Sequence, residues 1–464
     1  MKFTEKYSRI FQLLLPSPLS IALLLSLITI IVAYIFTNTG NAGDQNYLIT
    51  LLEFWERGLW NNGLMVFALQ MMLMLVLGHI LAMSPLVSRL IDKISVYATN
   101  NARAAALVCF STIAVALFNW GLGLIFGAIM ARKIGEKAHR EGIELNYPLI
   151  GAAGYSCLMV WHGGISGSST TKVAEKGHLA SLMEDILPAE KLLELPSAIP
   201  FSETVFSSMN IFASIAALIL IPLLMYFLGK VSSGSNLNRL AIKEAYIHEK
   251  KTPVGAEKID YSTFTTKIVG SIILVYLGLK VLQTPYISTF AFITPNFINL
   301  SLLGLGFFFH KNIVGFLKAT EHAIGGASGI LIQFPLYFGI MGIMKESGLV
   351  NMLSTLFVSN ATSTSFPIFT LISAAIVNVF VPSGGGQWAI QGPIIVQAAE
   401  SLQTSLPKSI MALAYGDQLT NMLQPFWALP LLGITKLKAK EILPYTLMMM
   451  LLGTVIYISA LLLF

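Results

Sequence analysis

Pro382-Ser383-Gly384-Gly385-Gly386-Gln387 stands inside an otherwise apolar stretch. The proline ends a preceding helix and leaves upstream carbonyls unbonded. Three glycines allow a tight turn that presents backbone N–H groups. A helix starting near Gln387 offers a positive N-terminal end, which suits a carboxylate. A second apolar stretch dissolves into His162-Gly163-Gly164-Ile165-Ser166-Gly167-Ser168-Ser169-Thr170, whose hydroxyls would serve an anion from the opposite side. His162 could titrate near neutral pH and carry a proton, or act as a fixed donor to a substrate. Asp417 is the clear acid within a spanning segment, and its burial costs about 2.5–3.5 kcal/mol on insertion scales. Thr420, Asn421 and Gln424 follow it at helical spacing on one face. The set reads as an oxygen-lined sodium site or as a protonatable carboxylate in a polar seam. A polar network joining helices is the structural alternative. Asn378, just upstream of the glycines, is grouped with Asp417, Thr420 and Asn421 as ion-coupling. His79, near the end of an apolar run, reads as interfacial. No Arg or Lys lies deep in these broken segments. The ligand anion would then be held by helix ends and hydroxyls, which implies low charge.

Such residues need a scaffold that can hold irregular backbone away from water. The 464 residues are 55% hydrophobic and only 11% charged, with mean hydropathy +0.73. Soluble domains carry about 25% charged residues, so this chain reads as an all-α integral membrane protein. The net charge of +6 is no nucleic-acid footprint, because the Lys and Arg sit in short clusters between apolar runs. Cys109 and Cys157 lie in apolar stretches, against a disulfide or cysteine–metal framework. The basic N-terminus reads as leading into a retained first span.

Clean spans are expected at about 19–37, 64–83, 204–229, 264–282, 291–309, 329–344 and 442–464. Four segments are interrupted: 104–131 at Asn119-Trp120-Gly121-Leu122-Gly123, then 148–170, 366–399 and 409–433. Basic clusters at Lys2/Lys6/Arg9, Arg89/Lys93/Arg103, Arg132/Lys133/Lys137/Arg140, the 230–262 loop and Lys436/Lys438/Lys440 orient the chain. The 172–203 connection is acidic on balance, with Glu175, Glu184, Asp185, Glu190, Glu194 and Glu203. One topology puts every basic cluster in the cytoplasm, with a cytoplasmic N-terminus. It makes 104–131 and 366–399 re-entrant hairpins of opposite orientation. Two inverted repeats follow, one at 1–229 and one within 263–464 after its linking span, each with a hairpin and a broken helix (148–170 and 409–433). They are joined by the 230–262 loop and a linking span at 264–282. With amphipathic connectors at 86–97 and 349–358, the expectation is about nine full spans plus hairpins. Inverted repeats with broken helices are a signature of secondary transporters.

Enzyme readings lack support, for no HExxH, GxSxG, Walker A or paired-cysteine motif is present. No Lys-Ser/Thr follows the glycines, so they form no phosphate loop and point away from ATP-driven transport.

The stretches VPSGGGQWAIQGPI (Val381–Ile394), AYGDQLTNMLQPFWALPLLG (Ala414–Gly433) and WHGGISGSS (Trp161–Ser169) resemble the short-chain fatty acid transporter family. That family sits in the larger ion transporter superfamily, beside dicarboxylate and citrate carriers, and the resemblance spans essentially the whole chain. It implies uptake of short-chain monocarboxylates such as acetoacetate or butyrate by cation symport, with H+ or Na+ as coupling ion and no cofactor. It also implies a homodimer in a bacterial inner membrane, with a scaffold and a moving transport domain. In the superfamily, Ser-Asn-Thr tripeptides at the hairpin tips bind substrate and sodium. Here the tips read Asn119-Trp120-Gly121 and Pro382-Ser383-Gly384, a departure that fits a substrate with one carboxylate. The substrate-binding candidates are therefore Asn119, His162, Ser166, Ser168, Ser169, Ser383, Gly384, Gly385, Gly386 and Gln387. The ion-coupling candidates are Asp417, Thr420, Asn421 and Asn378, with a sodium ion near Asp417 as one option. A passive carboxylate channel and a carrier for another small organic anion, such as a dicarboxylate, are the alternatives.

Overall fold

The computed structural model describes residues 16–38, 46–184, 187–234, 253–283, 292, 294–359 and 361–464. Lys2, Lys6, Arg9, Asp185 and the loop bases Arg239, Lys243, Lys250 and Lys251 lie outside the described residues. The described chain is helical, with no strand among those residues.

Four elements lead to the first hairpin: α1 (Pro18–Thr37), α2 (Tyr47–Leu59), α3 (Asn62–Met83) and α4 (Pro85–Ser95). The hairpin is α5 (Asn101–Phe118) and α6 (Trp120–Glu141). The first broken segment is α7 (Tyr147–Tyr155), a 3-10 turn over Ser156–Met159, irregular backbone, and a short helix at Ser168–Val173. α8 (Ser208–Val231) follows, and α9 (Thr263–Leu282) links onward. The same order of kinds then recurs. It runs α10 (Pro295–Phe309), α11 (Ile313–Ile324), α12 (Ser328–Glu346) and α13 (Leu349–Val358). The second hairpin is α14 (Phe366–Phe380) and α15 (Gly384–Ser401). The second broken helix is α16 (Leu406–Thr420) and α17 (Pro425–Thr435), and α18 (Ala439–Leu463) ends the chain.

Seven described helices are long and apolar enough to cross a membrane: α1, α3, α5, α8, α9, α12 and α18. α10, α14 and α17 are shorter apolar helices. The expected span at 291–309 is thus a 15-residue helix, Pro295–Phe309.

Two helices escape hydropathy, α2 and α11. Both are amphipathic and short, and charges such as Glu53, Glu56, Arg57, Lys318 and Glu321 dilute their apolar character. They also reveal how the halves hold together. α1 and α2 pack on α12 of the second half, while α10 and α11 pack on α3 of the first. The α2–α12 contact is backbone to backbone. A Cβ on Gly58 would stand 2.3 Å from the Phe338 carbonyl oxygen, and one on Gly342 2.3 Å from that of Phe54. Small residues give membrane helices this proximity, where apolar side chains gain little by leaving lipid.

Local chemistry starts each hairpin's second arm. Asn119, in extended conformation, caps α6 by accepting from the Leu122 N–H at 2.9 Å. Ser383 caps α15 by accepting from the Gly386 N–H at 3.2 Å. These caps satisfy N–H groups that a helix start leaves open, and so allow the chain to reverse inside an apolar surround. The acidic 172–203 connection folds back over the second hairpin. Leu179, Met183 and Leu195 share a small separate core with Trp388, Ile395 and Val396.

Candidate functional site

The irregular backbone after α7, both hairpin tips and the end of α16 converge. Ile165 donates its N–H to the Leu117 carbonyl at 2.9 Å, and Trp120 donates its N–H to Ser166 Oγ at 3.0 Å. The broken segment thereby docks on the first tip. Gln418 Oε1 accepts from the N–H groups of His162 (3.1 Å) and Gly163 (3.3 Å), tying the same segment to α16. Asn210 Nδ2 donates to the Gly163 carbonyl at 2.8 Å, and Tyr415 donates its hydroxyl to Asn210 Oδ1 at 3.0 Å. Irregular backbone in a membrane chain must find such partners inside the protein.

At the centre His162 and Asp417 face one another, 0% and 1% exposed, with Nδ1 3.6 Å from Oδ2. The ring's protonation follows from its other side. The Ser169 backbone N–H, which can only donate, points at His162 Nε2 at 3.0 Å, and Ser169 Oγ lies at 2.8 Å. Nε2 is therefore the acceptor, and the neutral imidazole carries its proton on Nδ1, towards Asp417. Trp161 stacks against the ring, centroids 4.5 Å apart. Neither Asp417 oxygen nor His162 Nδ1 has a hydrogen-bond partner among the described residues. A buried carboxylate without hydrogen-bond donors is costly to hold in an apolar surround.

The second tip closes over the pair. A Cβ on Gly384 would meet Trp161 Cη2 at 2.6 Å, His162 Cε1 at 2.9 Å and Asp417 Oδ2 at 3.3 Å. The N-terminal end of α15, with its positive partial charge, thus sits directly on the acid and the imidazole. Gly385 is roomier, its Cβ position being 4.0 Å from Ser168 Cβ. Ser168 and the start of α15 therefore border the same space.

The remaining candidates divide. Asn378 Nδ2 lies 2.7 Å from the Asp417 carbonyl, 2.9 Å from Thr420 Oγ1 and 3.0 Å from Asn421 Oδ1. Gln424 donates to the Asn378 carbonyl. Tyr155 donates its hydroxyl to the Asn421 carbonyl at 2.9 Å. Asn378, Thr420, Asn421 and Gln424 thus form one seam around the α16 break, continuous with Asp417 through its backbone. Gln387 turns away from the acid: it donates to the Ala374 carbonyl at 2.8 Å and to Gln391 Oε1 at 2.7 Å, between the arms of the second hairpin. Asn119 Oδ1 serves its cap, Ser166 Oγ accepts from the Trp120 N–H, and Ser383 Oγ accepts from the Gly386 N–H. Thr170 is buried and donates to the Gly167 carbonyl at 3.2 Å. His79, read from sequence as interfacial, is buried against His322 of α11, with His322 Nδ1 3.2 Å from His79 Nε2.

Gln418, Asn210 and Trp161 are site residues that no spacing in the sequence marks as such. Gln418 adjoins Asp417 in the chain, but its partners are more than 250 residues away, so no local spacing marks it. Gln418→Leu should cost about 2–5 kcal/mol, since it orphans two buried N–H groups. A lowered Tm of the purified protein checks this, and an unchanged Tm refutes it.

The 172–203 connection has its own contact with the site's lid. Trp388 Nε1–H donates to His178 Nε2 at 3.0 Å. Burial, and then Lys172, holds the His178 pKa below its ordinary value, with Glu175 pulling the other way. A docked ring thus resists protonation, and the docking free energy is lost as pH falls from about 6.5 through the docked pKa. Limited proteolysis of 174–203 should be faster at pH 5 than at pH 7.5, and His178→Phe should flatten that difference.

An all-helical chain with several apolar spans, whose broken helices and hairpin tips meet at a buried acid–imidazole pair, is built as a membrane transporter. The short-chain fatty acid transporter family profile matches residues 1–464. A protein of Escherichia coli (strain K12), provisionally named a short-chain fatty acid transporter, is 35% identical over 455 residues, covering 97% of this chain and 96% of the relative. A Haemophilus influenzae (strain ATCC 51907 / DSM 11121 / KW20 / Rd) protein with the same provisional name is 33% identical over 464 residues, covering 99% and 97%. Among solved structures, the Alcanivorax borkumensis YdaH transporter is similar at 15% identity and TM-score 0.44, covering 96% of this chain and 98% of that one. The chain belongs to the short-chain fatty acid transporter family. It is a transporter and not an enzyme.

Proposed function

We propose that this protein is a secondary active carrier that imports short-chain monocarboxylates, such as butyrate or acetoacetate, together with a proton held at Asp417. The observation that carries the reading is the buried Asp417–His162 pair under the tip of the second hairpin. His162 Nε2 is committed to Ser169, so the ring presents Nδ1–H and Asp417 is the group that exchanges a proton. Protonated, Asp417 is neutral and its burial is tolerable. Ionised, it has the Nδ1–H of His162 3.6 Å away. The substrate carboxylate would sit between the start of α15, with Gly384 and Gly385, and the Ser168 hydroxyl. No fixed cation is needed for a single negative charge.

The two recurring sets of elements, 1–229 and 263–464, act as inverted repeats. The hairpins and broken helices form the unit that moves through the bilayer, and the remaining spans form the scaffold of a homodimer. The basic loops face the cytoplasm of a bacterial inner membrane. One proton carried with one monocarboxylate moves no net charge. Such uptake follows the pH gradient, at about 1.4 kcal/mol per unit, and ignores membrane potential.

Uptake of radiolabelled butyrate into proteoliposomes, with proton, sodium and electrical gradients imposed separately, tests the proposal. Saturable uptake driven by an inward proton gradient alone is the expected result. Uptake that needs sodium would overturn the proton assignment, and unsaturable flux without counterflow would make the protein a channel.

A further inference from the structure

A second cluster of ionisable side chains lies outside this site, where the scaffold helices α3 and α11 meet α6 and the end of α17. His79 of α3 is buried, and its Nε2 lies 3.2 Å from Nδ1 of His322 on α11, whose side chain is exposed. Arg132 of α6 and Lys436 just past α17 are near enough to act on the charge of both rings, and Lys133 of α6 on that of His79. Glu136 is the carboxylate among them, 2.8 Å from Arg132 Nε and 3.9 Å from Lys133 Nζ. Three bases against one acid leave an excess of positive charge around the two rings. Arg132 also donates from Nη1 to the Ile434 carbonyl at 2.8 Å, tying α6 to the end of α17 two residues before Lys436.

An apolar groove of about 270 Å³ is lined by α3 (Leu69 to Ile80), Leu303 of α10, and Phe316, Thr320 and Ile324 of α11, so its lining adjoins His79 in α3 and flanks His322 in α11. Met72, Val76 and His79 are spaced i, i+4 and i+7 on one side of α3, and His79 directly precedes Ile80, the last α3 residue of the lining. Leu69, Leu73 and Ile324 are exposed along the groove. A hydrocarbon trough that adjoins concentrated positive charge matches one chemistry, an alkyl chain bearing an anionic head. In a bilayer the abundant molecule of that kind is an acidic phospholipid, and basic pockets between membrane helices hold such headgroups.

We infer that an anionic phospholipid binds here, with one acyl chain in the α3–α10–α11 groove and its phosphate bridging His79 and His322 to Arg132 and Lys436. This does not rest on the identity of the transported substrate. The headgroup joins helices of the scaffold to helices of the hairpin unit, so its occupancy biases their relative position.

Thermal denaturation of the delipidated full-length protein tests it, with phosphatidylglycerol, phosphatidylcholine, oleate and inorganic phosphate added separately. A lipid that binds the folded state alone raises Tm with its concentration. Phosphatidylglycerol should raise Tm saturably and phosphatidylcholine should not. The shift should shrink severalfold in Lys436→Gln, an exposed position that leaves the fold intact, and in the groove-filling Thr320→Trp. It should shrink further when His322→Gln is added to Lys436→Gln. Each variant is compared with its own lipid-free Tm, so a lower starting stability does not obscure the result. Equal shifts with both phospholipids, an undiminished shift in the variants, or a shift reproduced by oleate or phosphate alone would each overturn the assignment.

Discussion

Asp417→Asn is expected to abolish concentrative uptake while leaving the protein as stable as before or more so. An inward gradient of about two pH units supports roughly hundredfold accumulation when one proton accompanies one substrate. A carboxamide of nearly the same shape cannot take up and release that proton. The variant should therefore equilibrate butyrate without accumulating it, while loaded proteoliposomes still exchange labelled for unlabelled substrate. Stability should not suffer, because neither Asp417 oxygen receives a hydrogen bond among the described residues and removing an unpartnered buried charge relieves a desolvation cost. The two readouts separate coupling from folding. A well-folded variant that still accumulates butyrate under a pH gradient would remove Asp417 from the mechanism.

Gly384→Ala should be nearly as damaging for a steric reason. The added methyl would meet the Trp161 ring at 2.6 Å, His162 Cε1 at 2.9 Å and Asp417 Oδ2 at 3.3 Å. Trp161 and His162 are buried and stacked, so neither can swing aside cheaply. Overpacking of this kind costs about 1–3 kcal/mol. The cheapest relief is for the second tip to lift away from the pair, and a lifted tip leaves the acid open to water. We expect butyrate uptake to fall between about fivefold and a hundredfold, as 1–3 kcal/mol against the closed state dictates at about 1.4 kcal/mol per decade, together with a lower Tm. Gly385→Ala, whose methyl would find its nearest neighbour at 4.0 Å, should keep the wild-type Tm. Equal Tm values for the two variants, with wild-type uptake for Gly384→Ala, would show that the tip does not need this contact.

Much of this architecture was legible without coordinates. Apolar runs of about 20 residues mark spans because the hydrocarbon thickness dictates their length, and α1, α3, α9 and α12 fall within a few residues of expectation. The interruptions at Asn119, Ser166 and Ser383 were equally plain, because Pro, Gly and hydroxyl residues inside apolar runs leave backbone groups that lipid cannot satisfy. The prominence of Asp417 followed from the cost of a buried acid. Helices α2 and α11 were not legible, since both are short, amphipathic and diluted with charge. Nor could pattern say that Gln387 turns inward between the hairpin arms, or that Gln418 and not its neighbours anchors the segment around His162.

By itself, then, the sequence determined that the chain lives in a membrane, where its helices break and which acid is exceptional. These are local properties, set by how each residue partitions between water and hydrocarbon. Only the tertiary structure decided which breaks meet. It turned Nδ1 of His162 towards Asp417 by placing the Ser169 N–H on Nε2, it laid Gly384 on both, and it joined His79 to His322 across 243 residues. Pairings of that kind depend on helix packing and on backbone groups finding partners far along the chain, and no local periodicity encodes them.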